Sequence, residues 1–276
     1  MKGSDHGVDS EAALSATRKR LQGAADAMKD IQNQPDERRI NIQKVGVKNI
    51  SYPLTVLDKK KTTQQTVATV NMYVNLPHHF KGTHMSRFIE ILNRFHGGIN
   101  LKNFHFILAE MKDKLQAEAA HMEIDFPYFL KKDQSDVCRI AEYRCAMHGS
   151  LGVSDDLVLT VQVPIYPPSP TQTSHSLPRS LGHWGLATVS VRLLHFIWIE
   201  DLIRMIEAVT THNLCWPTGG EGTADPAGLE VESITKAVGR QLRDNASISW
   251  FSLTVKNYSE GCNTFASLEW PEARLS

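Results

Sequence analysis

Alternating apolar and polar residues predict β-strands along much of the chain. Residues 65–76 show the pattern most clearly, with Val70, Met72 and Val74 on one face and threonine, asparagine and tyrosine between them. A period of two is typical of a strand that buries one face and leaves the other accessible. The same prediction applies to residues 44–57, 121–129, 138–148, 157–163, 187–195, 247–256 and 263–270.

Four further stretches space their apolar residues three and four positions apart, which is typical of amphipathic helices. The first places Met85, Phe88 and Leu92 on one stripe, and we expect it to end at Gly97 and Gly98. The others cover residues 104–115, a stretch that begins near residue 199, and residues 229–242. The predicted order is therefore strand-strand-helix-helix-strand-strand, followed by the same order again.

This repeated order predicts an α+β fold made of two similar modules. A tail at residues 1–36 precedes a first module at 37–152 and a second module at 153–276. Runs of antiparallel strands with grouped helices favour sheets that carry their helices on one face. The two halves share a pattern of elements and no obvious sequence identity.

The strand predicted at residues 247–256 carries apolar residues on both faces. Ile248 and Trp250 lie on one side, and Phe251 and Leu253 lie on the other. Closure of the sheets into a barrel by several subunits would bury the second face and remove the sheet edges. The pattern therefore predicts a homo-oligomer.

Composition excludes several classes of partner. The chain has 30 Lys plus Arg and 30 Asp plus Glu, so no overall charge attracts it to nucleic acid or to an anionic membrane. It has no run of about 18 or more apolar residues, and its polar N-terminus lacks the apolar segment of a secretory signal. The four cysteines include no CxxC pair, which suits a reducing compartment. We therefore expect a cytoplasmic protein that binds neither nucleic acid nor membrane.

Three stretches of the first half carry a specific resemblance. They are QPDERRINIQKVGVK at residues 34–48, NMYVNLP at 71–77 and FKGTHMSRFIEIL at 80–92. Over about residues 34–165 the chain resembles the type IB GTP cyclohydrolases, whose chains contain two tunnelling-fold modules. The resemblance implies a homotetramer with purine-binding pockets at the subunit interfaces.

The reaction implied by the resemblance is the hydrolytic opening of GTP in folate and pterin biosynthesis. Formate leaves, and ring closure gives 7,8-dihydroneopterin triphosphate. The family is expected to use a divalent metal, zinc or manganese, on Cys, His and Glu ligands, because such an ion lowers the pKa of its bound water. Another histidine helps to move protons.

The second half departs from the motifs that hold this metal. In the family, a Cys-Pro-Cys-Ser stretch is followed by Gly-Ala-His-Asn. Without gaps, the two cysteines fall on Ser169 and Thr171, and the histidine falls on Leu181. A neutral hydroxyl is a poor zinc ligand, and leucine has no donor atom. The metal-binding glutamate corresponds to Glu221 only if a gap is introduced.

Other residues are candidates to replace the missing ligands. His183 lies two positions after the expected histidine, and Cys262 stands where the family has the first histidine of His-Asn-His. The alternatives are a loop histidine at His183, a small buried residue at Cys262 and a solvated carboxylate at Glu221. Glu232 matches the family's substrate-anchoring glutamate, whose carboxylate would accept hydrogen bonds from guanine N1–H and the exocyclic amine.

Two functions remain open at this point. The first is a GTP cyclohydrolase of the IB type, with Ser169 at the position of the metal-site cysteine. The alternative is a catalytically impaired homologue that binds a purine or pterin through Glu232 as a regulatory or scaffold protein. A third option, the related nitrile reductase of the queuosine pathway, uses a nucleophilic cysteine and NADPH, and this sequence shows neither its cysteine context nor its cofactor motif.

Overall fold

The structure is a computed structural model, and it describes residues 42–59, 63–76, 85–95, 101–134, 137–165, 185–210, 231–258 and 262–271. The predicted N-terminal tail lies outside the described residues. So do three of the candidate site residues, Ser169, His183 and Glu221.

Strands and helices in the described part of the chain follow the predicted order. They are β1 (Ile42–Leu57), β2 (Thr63–Leu76), α1 (Met85–Arg94), α2 (Leu101–Leu115), β3 (Ala120–Gln134), β4 (Val137–Leu151), β5 (Asp155–Ile165), β6 (Gly185–Leu193), α3 (Ile199–Thr210), α4 (Val231–Arg243), β7 (Ile248–Tyr258) and β8 (Asn263–Trp270). The chain is therefore α+β, with strand-strand-helix-helix-strand-strand found twice in the described residues.

All eight of these strands belong to one antiparallel sheet, in the order β1 to β8. Strands β4 and β5 join the two halves, because they pair from Leu151 and Asp155 to Arg144 and Gln162. The sequence predicted sheets within each module and did not predict that they would be continuous. A short connection at residues 152–154 makes this possible, since consecutive antiparallel strands need only a hairpin loop.

One face of the sheet packs against the helices and forms the core. Alternate residues of each strand are buried there, as Val70 and Met72 of β2 and Val161 of β5 illustrate. The helices contribute their apolar stripes, for example Phe88 of α1 and Ile234 of α4. Because burial of apolar area is the main favourable term in folding, the alternation seen in the sequence determines which face of each strand meets the helices.

The other side of the sheet, called the open face below, is mainly polar. Strand β7 shows this, since Ser252 and Thr254 alternate with the buried residues Phe251, Leu253 and Val255. Ile248, expected on the second face, is buried in the core. The register of β6 with β7 shifts between Arg192 and Leu193, which pairs with Ile248. Such a shift, like a β-bulge, reverses the face of the sheet to which the following side chains point. The argument for apolar residues on both faces was therefore wrong for Ile248.

Helix α3 of the second half contacts the strand hairpins of the first half. Its Glu200 is only 5% exposed, and both carboxylate oxygens accept hydrogen bonds from the backbone N–H of Lys59, at 2.9 and 3.0 Å. The Lys59 ammonium also pairs with Asp201 at 2.7 Å. Farther along α3, Glu207 accepts a 2.6 Å hydrogen bond from Lys132. A buried carboxylate is costly unless it is hydrogen-bonded, so these contacts fix α3 against the β1–β2 and β3–β4 hairpins.

Candidate functional site

Glu232 lies in the first turn of α4 with its side chain exposed. Its neighbours Val231, Ile234 and Thr235 are buried and hold this end of the helix against the core. A carboxylate in a first helical turn interacts favourably with the partial positive charge of the helix N-terminus. Within the described part of the chain Glu232 makes no hydrogen bond or ion pair, so its carboxylate oxygens are accessible to a ligand.

Cys262 is exposed immediately before β8. The interpretation of this position as a small buried residue is therefore wrong. Among the described residues, no group of three or more His, Cys, Asp or Glu side chains is arranged to hold a metal ion. The structure thus brings neither Cys262 nor Glu232 into a metal-binding group with other described residues.

The donor set of this chain does not fit the metal site expected from the family motif. A catalytic zinc requires three protein ligands and an open position. In the comparison without gaps, Ser169, Thr171 and Leu181 fall at the family's Cys, Cys and His positions, and they offer two neutral hydroxyls and no nitrogen or sulfur donor. Ser169, His183 and Glu221 lie outside the described residues, and their roles stay predictions.

Cys145 is the other described cysteine, and its environment argues against a nucleophilic role. It lies in β4 on the helix side, and burial raises the pKa of its thiol to about 12. Since the thiolate is the reactive form, a thiol with so high a pKa is inert at neutral pH.

A hydrogen-bonded cluster on the open face was not predicted from the sequence. Glu123 of β3 accepts hydrogen bonds from the Asn71 amide and the Tyr73 hydroxyl, both at 2.9 Å. Burial opposes the charge of Glu123, but these two hydrogen bonds, with the positive charges of His148 and Lys48, hold the pKa of its carboxyl below the usual value. Burial and the hydrogen bond to Glu123 raise the pKa of Tyr73 to about 12.

His121 extends this cluster by stacking on Tyr73. Their ring centroids are 4.9 Å apart and the planes differ by 15°. The ammonium of Lys44 lies 4.7 Å from the centroid of the same tyrosine ring. Burial lowers the pKa of His121, and the positive charges of His148 and Lys44 lower it further, while Glu123 acts in the opposite direction. The only signal in the sequence was that Tyr73 alternates with the core residues of β2.

A cavity of about 290 Å³ lies next to this cluster on the open face. Its polar lining comes from strands β2 to β5 and consists of Thr69, Asp125, Glu142, Arg144, Thr160 and Gln162. Burial and the neighbouring Glu123 raise the pKa of Asp125, and Arg144 opposes this shift. The cavity therefore presents charges of both signs.

The comparisons with known proteins cover both halves of the chain. The family model described as Type I GTP cyclohydrolase folE2 matches residues 28–215. This chain belongs to that family. A protein named GTP cyclohydrolase FolE2 from Syntrophus aciditrophicus is 42% identical over 256 residues, which is 88% of this chain and 99% of that protein. Its counterpart in Geobacter metallireducens is 45% identical over 241 residues, covering 84% of this chain and 92% of that protein.

Solved structures of urate oxidases share the fold of this folE2-family chain. A hyperthermostable mutant of the Bacillus sp. TB-90 enzyme has a TM-score of 0.52 at 10% identity, covering 84% of this chain and 100% of that one. A hyper-thermostable mutant of AgUricase has a TM-score of 0.51 at 8% identity, covering 85% and 94% of the two chains. At such low identity the likeness concerns the fold alone. No described helix of the folE2-family chain is long and apolar enough to cross a membrane.

Proposed function

We propose that this chain is a GTP cyclohydrolase, which opens the guanine imidazole ring of GTP and yields formate and 7,8-dihydroneopterin triphosphate. The observation that carries the proposal is the extent of the similarity. Identity of 42% continues over 88% of the chain and 99% of a protein named GTP cyclohydrolase FolE2. Such a match includes both halves of the sheet, so it is not limited to one shared module.

Recognition of the guanine ring is assigned to Glu232. Its exposed carboxylate in the first turn of α4 can accept two hydrogen bonds, from N1–H and from the exocyclic amine. Hydrogen bonds to an ionised carboxylate are about twice as strong as neutral ones. Discrimination follows because adenine has no N1 proton and no exocyclic amine at the equivalent position, so it would leave the carboxylate unpaired.

The assembly we propose is a homotetramer of two-module tunnelling-fold chains, with the purine pockets between subunits. The continuous sheet supports this arrangement, because β1 and β8 are its two edges and can pair with other subunits. The exposure of Glu232 supports it too, since one protomer alone leaves this carboxylate uncovered. The modules meet near the β4–β5 hairpin at residues 152–154, and the cytoplasm is the proposed location.

A specific observation also favours the alternative, a homologue that binds a purine or pterin and has lost hydrolysis. Ser169, Thr171 and Leu181 replace nitrogen and sulfur donors at the family's metal-site positions. Water is a weak nucleophile unless a bound cation lowers its pKa, so these replacements affect the hydrolytic step directly. Binding through Glu232 needs no metal and would persist.

Incubation of the purified protein with GTP separates the two functions. Formate and the fluorescence of oxidised dihydroneopterin triphosphate report hydrolysis, and calorimetry with GTP reports binding. The proposal expects both products, with formation reduced in the Glu232→Gln variant, which keeps the size of the side chain and removes its charge. Saturable GTP binding without formate would overturn the cyclohydrolase assignment in favour of the non-catalytic homologue.

A further inference from the structure

The open face becomes largely apolar at one end of its strands. Near the opposite end it carries the hydrogen-bonded cluster of Tyr73 and Glu123. At the apolar end, one row of side chains crosses the sheet from β3 to β8 and is called the end row here. It consists of Phe129, Glu142, Pro164, Leu186, Lys256 and Phe265.

Strand pairing places the six residues of the end row side by side. The pairs are Phe129 with Glu142, Pro164 with Leu186, Leu186 with Lys256, and Lys256 with Phe265. Glu142 and Pro164 each lie two residues beyond the pair that Arg144 forms with Gln162, so they continue the row from β4 to β5. The end row is therefore continuous across six strands and includes both halves of the chain.

The apolar members of the end row are left uncovered by the protomer itself. Phe265 is 66% exposed and Phe129 is 39% exposed. Ile140, two residues from Glu142 on the same face, is 73% exposed, and Tyr258, two residues from Lys256, is 44% exposed. Together these side chains expose about 400 Å² per copy, because a large aromatic side chain presents about 150–250 Å². A contiguous apolar surface of this size, bordered by polar residues, is typical of an interaction site.

The order of residues in the end row makes the row complementary to itself. From β3 to β8 the row is apolar, acidic, apolar, apolar, basic and apolar. A rotation of 180° about an axis between β5 and β6 brings Glu142 to the position of Lys256, and Phe129 to the position of Phe265. Two copies that face each other in this way would oppose unlike charges and pair apolar residues. Such self-complementarity is the property that an isologous two-fold interface requires.

The two charged residues of the end row cannot satisfy each other within one copy. Glu142 and Lys256 are both exposed, and neither forms an ion pair with the side chains that the structure describes. They lie on β4 and β7, three strands apart, which corresponds to about 14 Å at the usual spacing of neighbouring strands. Both charges are therefore available to a partner.

We propose that the end row is a two-fold interface at which a second copy of this chain packs its own end row in the opposite direction. The apolar side chains would form the centre of the contact, and two equivalent ion pairs between Glu142 and the other copy's Lys256 would fix its register. The exposed apolar surface supplies about half of the roughly 800 Å² that each partner buries in a specific interface of standard size.

This interface belongs to the homo-oligomer proposed above and rests on that assembly. It adds a contact between sheet faces to the pairing available at the edge strands β1 and β8. It does not depend on the cyclohydrolase reaction, since none of the residues in the end row is assigned to that chemistry.

Charge reversal tests the interface, with sedimentation velocity of the full-length protein over a range of concentrations as the measurement. Glu142→Lys or Lys256→Glu alone would place like charges opposite each other twice in each pair of copies. Each variant should therefore raise the dissociation constant at least about tenfold. An equimolar mixture of the two variants restores both ion pairs between unlike copies. We expect that mixture, and the double variant, to associate within about threefold of the wild type.

Glu90→Lys provides the matched control, because it makes the same charge change at an exposed position of α1 and should leave association unchanged. Circular dichroism confirms that each variant is folded. An equal loss in Glu90→Lys, or no recovery in the mixture, would overturn the proposal. A wild-type oligomer unaffected by either single charge reversal would overturn the end-row interface alone, whereas a wild-type monomer at all concentrations would overturn the proposed homotetramer as well. A monomer that floats with phosphatidylcholine vesicles would assign the end row to a lipid surface instead.

Discussion

The two halves of the chain have the same order of elements but hold their polar side chains in different ways. In the first half, Asn71, Tyr73 and Glu123 lie on paired strands, and hydrogen bonds of 2.9 Å fix their positions. In the second half, Glu232 and Cys262 lie at the beginning of a helix and just before a strand, and both are exposed. The remaining candidate ligands of that half, Ser169, His183 and Glu221, lie outside the described residues.

This difference shows how a scaffold and its chemistry can diverge separately. Strand residues are constrained on both faces, because a change in register or volume affects the core as well as the open face. Residues that connect elements lack this constraint and are more variable. If Ser169 and Leu181 stand at the family's Cys and His positions, as the ungapped comparison predicts, the chain keeps the order of its strands and helices while two metal donors are missing.

Restoring the donors of the second half is expected to have the largest effect. The double variant Ser169→Cys with Leu181→His should bind zinc at least about 100-fold more tightly than the wild type. Mutation of a residue that only hydrogen-bonds to a metal ligand already changes metal affinity by about 10–100-fold, and the variant adds two ligands. Metal content after dialysis against a chelator measures this, with Ser169→Ala and Leu181→Ala as a control pair. Stoichiometric zinc in the wild-type protein would contradict the interpretation and would place the ligands elsewhere.

Breaking the contact between the halves should have the next largest effect. Glu200→Ala leaves the Lys59 N–H without its buried acceptor and should lower the free energy of unfolding by about 2–3 kcal/mol. Asp201→Ala is the matched control, since it removes a more exposed pair worth about 0.2–1 kcal/mol. Denaturant unfolding compares the two variants, and equal losses would show that α3 is not held mainly through Glu200.

Removal of the Glu232 carboxylate should weaken ligand binding without affecting stability. Glu232→Ala is expected to reduce affinity for GTP at least about tenfold, because the guanine donors lose their charged acceptor. The side chain is exposed, so thermal unfolding should stay the same. Calorimetry with GTP measures the effect, and Ser233→Ala, a change at an exposed neighbour on the same helix, serves as the control. Unchanged affinity would remove Glu232 from the site.

The smallest expected effect is on the pH dependence of the free energy of unfolding, to which Glu123 of the first half contributes. The pKa of Glu123 is lowered from its ordinary value of 4.5, so its stabilising contribution is present above that value and is lost as the pH falls through the folded-state pKa. Glu123→Gln should therefore lose less stability than the wild type as the pH is lowered from about 5, with a difference below about 1 kcal/mol. Urea unfolding at several pH values measures this, and parallel curves would contradict it.

Periodicity in the sequence was sufficient to locate the elements. The strand predicted at residues 157–163 is Asp155–Ile165, and the helix predicted at 229–242 is Val231–Arg243. These predictions succeeded because burial of one face imposes a period of two or 3.6 on the residues. Periodicity does not specify pairing between distant strands, so neither the continuous sheet nor the register shift that buries Ile248 could be predicted.

The candidate site was predictable only where a motif could be aligned. Glu232 lies in the first turn of a helix, and its role stays a prediction. Among the described residues, Cys262 belongs to no group of three or more His, Cys, Asp or Glu side chains that could hold a metal. The cluster around Glu123 depends on contacts between β2 and β3, which are about 50 residues apart in the sequence. A single sequence contains no signal for such a contact beyond the alternation that places Tyr73 and Glu123 on polar faces.

The most direct test of the cyclohydrolase assignment is the release of formate from GTP by the purified protein, measured beside its Ser169→Cys, Leu181→His variant. Each protein should release formate and dihydroneopterin triphosphate in a one-to-one ratio, and the variant should release them much faster than the wild type. GTP binding without formate release from either protein would contradict it, and would leave a purine-binding homologue that has retained the fold without the reaction.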